Sequence, residues 1–247
     1  MEQTRARSSG FQNYPFLTGE EFTEVCHRLD RRYCQATLGP VRRQWKLSVC
    51  SALNTSFAMG PEYSTYLQIV RPLDGELDDG DLSLHLDRLS VQGKGRDPEG
   101  MEMETEADKE MVATEEADEA ALPRRSQVGA GYVTYEIHLH PTYQAPCLWF
   151  SLHELPVDEE AFNIDTVFRR LVPDQYKNGL RGSGAIGGIS ADHNPVTGVP
   201  SFFVHPCLLG DAMSNFDCSK ENYLMVWFGL VGGCVGLWLP TAMALES

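Results

Sequence analysis

The sequence is short of positive charge. Against 35 aspartates and glutamates stand 20 lysines and arginines, a formal net charge of −15 over 247 residues. Phosphate backbones are repelled by such a surface, so nucleic acid is not expected as a partner. None of the seven cysteines sits in a Cys-x-x-Cys pair, which argues against the usual zinc spacings, and the odd number argues against a closed disulfide framework. No apolar leader follows Met1, so a reducing, cytoplasmic setting is the expectation. The glycine-rich run 179–188 does not end in Gly-Lys-Ser or Gly-Lys-Thr, which removes a phosphate-cradling loop. No metal or other cofactor is expected. Residues 223–239 carry no charge, but they number 17, include Gly229, Gly232, Gly233 and Gly236, close at Pro240 and lack a flanking basic cluster. A bilayer needs about 20 apolar residues, so the stretch reads as a core helix with Leu224, Trp227, Phe228 and Val231 facing inward. A break at Gly232-Gly233 and a buried extended piece would follow it.

What the chain does have is apolar material: 42% hydrophobic and 10% aromatic residues, enough to bury a core. The length suits one generous domain, 1–247. Charge is concentrated rather than spread. Between Asp74 and Glu119 lie 17 acids and 4 bases, a net of −13, leaving −2 for the other 201 residues. That stretch offers few aliphatic groups, and ordering it would cost more entropy than burial returns. Residues 74–127 are therefore expected to be a disordered acidic insertion within the domain. It is either a solvated spacer or a docking segment, with a transient helix near 104–121.

Flanking this insertion the periodicities are cleaner. Thr18 and Glu21 have capping-box spacing, and Phe22, Val25, Cys26, Leu29 and Tyr33 recur at helical intervals, which predicts a helix over 19–38. Strands are predicted at 45–50, 63–70, 132–140 and 147–153, with a short last strand at 201–204. Asn163 is placed to cap a helix that Pro173 ends. Helix, then four strands, then helices is an α+β plan in which an antiparallel sheet carries helices.

Chemistry has to come from cysteine and histidine. Cys26, Cys34, Cys50, Cys147 and Cys234 fall in predicted helices, strands or the apolar tail and read as small buried hydrophobes. Cys218, in a polar stretch, reads as exposed. Cys207 differs, because it follows a strand and a proline, where a turning backbone presents a side chain to solvent, with His205 two residues earlier. A lone His-Pro-Cys does not decide between a reactive and an ordinary thiol. His138 and His140 share a strand face without a third ligand, and a half-exposed strand face accounts for them. Asp192-His193-Asn194 with Cys207 supplies the residue types of a cysteine hydrolase, although no protease signature surrounds the cysteine.

The segments Tyr143-Gln-Ala-Pro-Cys-Leu-Trp-Phe150, His193-Asn-Pro-Val-Thr-Gly-Val-Pro-Ser-Phe-Phe-Val-His205-Pro206-Cys207, and Asn222-Tyr-Leu-Met-Val-Trp227 through Gly-Leu-Trp-Leu-Pro240 together resemble the E2-like conjugating enzymes of autophagy. The resemblance implies an E2-like (UBC-like) fold with a four-stranded antiparallel sheet and flanking helices. It also implies an activity: Cys207 takes the ubiquitin-like autophagy-related protein twelve from the E1-like autophagy-related protein seven. It holds the modifier as a thioester and passes it to a lysine of autophagy-related protein five, in the cytoplasm with recruitment to the preautophagosomal membrane. By the same comparison, Tyr143 matches a strand tyrosine beside the active cysteine, and His205 the position two before it. Both are candidates to orient the acceptor lysine or to donate to the oxyanion, in place of the His-Pro-Asn arrangement of ubiquitin E2 enzymes. A tyrosine that merely packs its ring and a histidine that merely stabilises the turn stay open. A long acidic insertion is more typical of the sister branch, which conjugates autophagy-related protein eight to phosphatidylethanolamine, and that branch is the alternative. The short polar lead before Phe22, without an amphipathic membrane-binding helix, and the Gly-Leu-Trp-Leu-Pro ending point to the first branch. Partner-contact surfaces are not encoded in a readable motif, although exposed His138 and His140 could add an edge to a partner.

Overall fold

Thr18 starts the first helix as its spacing predicts. Its hydroxyl accepts from Glu21 N at 3.2 Å, while Glu21 Oε2 accepts from Thr18 N at 2.9 Å, so two of the helix's orphan donors are satisfied reciprocally. Helix α1, Gly19–Gln35, buries Phe22, Val25, Cys26, Leu29 and Tyr33. Its carbonyl end is covered by the Arg42 guanidinium, which donates to Tyr33 O and Ala36 O at 2.9 and 3.0 Å; Arg42 lies on the one-turn helix α2, Val41–Gln44. The structure, a computed structural model, describes residues 10–54, 62–73, 131–181 and 188–244. They belong to a unit made of residues 1–75 and 129–247. The insertion expected at 74–127 lies outside the described residues.

Six strands form one sheet in the order β1-β2-β3-β4-β6-β5, every neighbouring pair antiparallel. They are β1 Lys46–Asn54, β2 Glu62–Pro72, β3 Tyr132–His140, β4 Ala145–His153, β5 Ile189–His193 and β6 Pro200–Val204. The four-strand expectation is corrected to six. The first four lie where alternation places them. The sheet then continues because β6 pairs with β4 through Leu148↔Val204, Trp149↔Phe203 and Phe150↔Phe202, and β5 adds to the outer side of β6. β5 reads Ile-Ser-Ala-Asp-His and is nowhere fully buried. An edge strand held by backbone pairing carries no hydrophobic alternation, so periodicity could not find it.

One face of the sheet is the core. Leu67, Ile69, Val133, Tyr135, Ile137 and Leu148 are no more than 0% exposed, and α1 lies against β1 and β2. Asn163 Oδ1 accepts from Asp165 N at 2.8 Å to open α3, Ile164–Arg170. Pro173 ends that helix as expected, yet another, α4 Asp174–Arg181, begins at once and runs into the stretch expected to be a loop from 179. Helix α5, Leu209–Met213, is a single turn. In α6, Tyr223–Val231, the four residues expected to face inward are all buried. One 3-10 turn follows, Gly232–Val235, and Gly236 turns the chain with φ of 66°. Leu237 is then buried as expected, but Trp238 is 44% exposed, so the extended buried piece is shorter than predicted. Among the described residues no helix is long and apolar enough to cross a membrane.

The opposite face is covered in part by the connection between β5 and β6. Asn194 Nδ2 donates to Glu136 Oε2 at 2.7 Å, and Asn194 Oδ1 accepts from Val196 N and Thr197 N, each at 2.9 Å. Glu136 also meets His138 Nε2 at 3.1 Å and accepts from Gln68 Nε2 at 3.3 Å. His138, expected on a half-exposed face, is buried, and its ring stacks on Tyr66 at 4.7 Å; it is not free to add an edge to a partner.

Candidate active site

The chain leaves β6 at Val204 through His205-Pro206-Cys207. Proline contributes no N–H and biases the residue before it toward extended backbone, so the next donor is that of Cys207. It donates to His205 Nδ1 at 3.2 Å. His205 N donates to Gly188 O at 3.1 Å, tying the exit to the start of β5, and Leu209 N donates to Pro206 O at 3.0 Å as α5 begins. The thiol is thereby held on a closed turn, exposed to solvent as the sequence expects. A histidine that accepts at Nδ1 carries the proton of its neutral ring on Nε2. His205 can therefore donate from Nε2, which suits an oxyanion partner and not a general base.

Tyr143 is not in a strand, as its family match implies, but in the four-residue turn that joins β3 to β4. Its ring packs edge-on against His205, with centroids 5.5 Å apart at 73°. Sequence reasoning missed a third member. His140, at the end of β3, lies 4.7 Å from the Tyr143 ring, and its Nδ1 accepts from Thr142 N at 3.2 Å and Tyr143 N at 3.3 Å. Burial first, and the nearby charge of His205 second, hold His140 below the usual histidine pKa. The signal was present: His140-Pro141-Thr142 repeats the His-Pro-x pattern of His205-Pro206-Cys207.

Of the seven cysteines only Cys34, on the last turn of α1, and Cys207 are exposed. Cys34 was expected to be buried and Cys218 exposed; the reverse holds, since Cys218 sits beside the Tyr14 hydroxyl at 3.4 Å. Burial pushes the Cys147 thiol up to about 12 and that of Cys234 up to about 11, which removes both as thiolates at neutral pH.

The hydrolase constellation is not assembled. His193 pairs with Pro200 at the far end of the β5–β6 hairpin, and the five residues of β6, at about 3.3 Å each, separate it from the Cys207 turn. Its Nδ1 lies 3.5 Å from Asp192 Oδ1, with both side chains well exposed, and Asn194 is committed to Glu136. Among the described residues no group of three or more His, Cys, Asp or Glu is arranged to hold a metal ion.

Comparison with known proteins gives this geometry a family. Residues 21–242 match the family model described as "Autophagocytosis associated protein, active-site domain". The chain is 61% identical over 236 residues to the ubiquitin-like-conjugating enzyme ATG10 of Gibberella zeae, covering 95% of this chain and 99% of that protein. It is 29% identical over 120 residues to the ubiquitin-like-conjugating enzyme ATG10 of Homo sapiens, covering 45% of this chain and 53% of the human protein. The match at 21–242 begins in α1 and runs past Cys207 and α6 to the 3-10 turn Thr241–Met243, so sheet and thiol turn fall within it, and the chain belongs to the autophagocytosis-associated family of E2-like conjugating enzymes.

Proposed function

We propose that Cys207 carries autophagy-related protein twelve as a thioester, received from autophagy-related protein seven, and delivers it to a lysine of autophagy-related protein five. The observation that carries this reading is the exposed thiol on a turn closed by His205, whose ring packs edge-on against Tyr143. In loading, the Cys207 thiolate attacks the carbonyl carbon of the activator-bound modifier; the new C–S bond forms as the activator's thiolate leaves. In transfer, a neutral lysine amine attacks the same carbon, a tetrahedral oxyanion forms, the C–S bond breaks to release the Cys207 thiolate, and the amine's extra proton passes to solvent. A thioester is already activated, so the protein's share is to orient the amine and stabilise the oxyanion. His205 Nε2–H and the Tyr143 hydroxyl are the donors for that work.

On this reading the chain is one E2-like domain with the acidic segment 74–127 inserted in it, acting in the cytoplasm and recruited to the preautophagosomal membrane. The 61% identity to an ATG10 over nearly the whole chain supports the branch that uses a protein lysine. The test is reconstitution with activator, ATP and modifier on non-reducing gels. A thiol-sensitive adduct is expected, lost in Cys207→Ala and replaced by a more stable oxyester in Cys207→Ser. An adduct that survives loss of Cys207 overturns the assignment, and efficient transfer of autophagy-related protein eight to phosphatidylethanolamine in liposomes moves the chain to the sister branch.

A further inference from the structure

The turn that presents Tyr143 is held by unusual means. His140 and Ala145 are the last pair of the β3–β4 ladder, so residues 141–144 must reverse the chain between them. Gln144 does so with φ of 47°, a left-handed conformation that a residue with a side chain adopts at a cost. Three ties offset it. Gln144 N donates to His140 O at 2.8 Å, Leu17 N donates to Gln144 O at 2.8 Å, and the His140 ring takes the N–H groups of Thr142 and Tyr143 on one nitrogen. Only the last tie fixes Tyr143 itself.

We propose that His140 is a positioning residue for acyl transfer, its Nδ1 holding the Thr142–Tyr143 turn so that the Tyr143 ring stays against His205. The proposal rests on the reading of Cys207 as the thioester carrier with Tyr143 and His205 beside it. His140 touches neither thioester nor amine; it acts through Tyr143. A ring that accepts two N–H groups at Nδ1 cannot also carry a proton there, so the turn is held only while the imidazole is neutral. The groups facing His140 are Tyr143 from its own turn and His205 from beyond β6. His140 also lines a groove of about 1050 Å³ together with Glu20 of α1 and Asp192 and His193 of β5. Burial first, and the nearby charge of His205 second, disfavour the cation. The arrangement is therefore kept at neutral pH and released by acid.

The test is single-turnover discharge of the autophagy-related protein twelve thioester on the full chain, with free lysine as the amine probe. His140→Ala, which removes the acceptor, is expected to slow discharge about tenfold. His140→Asn, whose Oδ1 can accept the same N–H groups and does not titrate, is expected to recover most of that loss. The ratio of the Asn variant's rate to the wild-type rate should rise as pH is lowered below about 6.5. Adding His140→Ala to Tyr143→Ala should cost nothing further, because the two act as one unit. A wild-type rate for His140→Ala alongside a slow Tyr143→Ala overturns the positioning role and leaves the reading of Tyr143 standing. A wild-type rate for both overturns both. Equal slowing in the Ala and Asn variants, with a ratio flat in pH, assigns His140 to the scaffold and overturns the proposal.

Discussion

His140 and His205 are built alike: each precedes a proline, and the Nδ1 of each accepts, at 3.2 Å, the backbone N–H two residues on. One turn bears Tyr143 and the other Cys207, and the two meet where the Tyr143 and His205 rings touch. The site is thus two copies of one local device, brought together by the pairing of β4 with β6.

His205 supplies both a turn acceptor and a donor, and its variants separate these roles. His205→Ala loses both and should slow transfer to an amine by about a hundredfold, the usual cost of an oxyanion donor. His205→Asn keeps an acceptor oxygen and an N–H donor on one side chain and should fall by about tenfold or less. Single-turnover discharge at saturating amine measures both; an alanine variant as fast as the asparagine variant would remove His205 from the oxyanion.

Asn194 and Glu136 pin the β5–β6 connection across the sheet. Asn194→Ala should lower stability by about 1.5–3 kcal/mol, the usual worth of a hydrogen bond to a charged group, read as a lower urea midpoint at pH 7.

Glu136 also makes stability depend on pH. Burial works to raise its pKa, but hydrogen bonds from His138, Asn194 and Gln68 outweigh it, and the carboxyl is held below its ordinary value of 4.5. A carboxyl whose folded pKa is depressed stabilises the fold above its unfolded pKa, and that contribution is lost as pH falls through the folded value. The urea midpoint should therefore decline below about pH 4.5, and Glu136→Gln should flatten that part of the profile. An identical slope in the variant would assign the acid sensitivity elsewhere.

Gly236 combines φ of 66° with a neighbour, Leu171 O, only 2.8 Å from where a Cβ would stand. Gly236→Ala should cost about 2 kcal/mol by backbone strain and crowding, measured by chemical denaturation. Gly229, in open space on α6, serves as the comparison: Gly229→Ala should be neutral or stabilising.

Pro72 and Tyr132, the described strand residues on either side of the acidic segment, are partners in the β2–β3 ladder. Replacing 74–127 by a short Gly/Ser linker should leave the thermal midpoint nearly unchanged, since loop closure varies slowly with length. If the acids steer the activator, loading of Cys207 will slow, and the deficit will shrink as salt is raised. Unaffected loading at every salt concentration would make the segment a spacer.

Helix α1, the first four strands and the inward face of α6 were legible in the sequence because a face that must be buried imposes its period on the residues that form it. The exposed thiol was legible too, since a proline before Cys207 forces a turn. β5 and the burial of His138 were not, because backbone pairing leaves no local pattern and the Tyr66 ring that covers His138 comes from another strand. His140 shows the boundary best. Its own His-Pro-x turn is a local matter, fixed by proline's missing N–H and the reach of an imidazole nitrogen. That the Tyr143 ring beyond it would meet His205, 62 residues later in the chain, was decided by sheet register, since β4 must pair with β6 before the two turns share one end of the sheet.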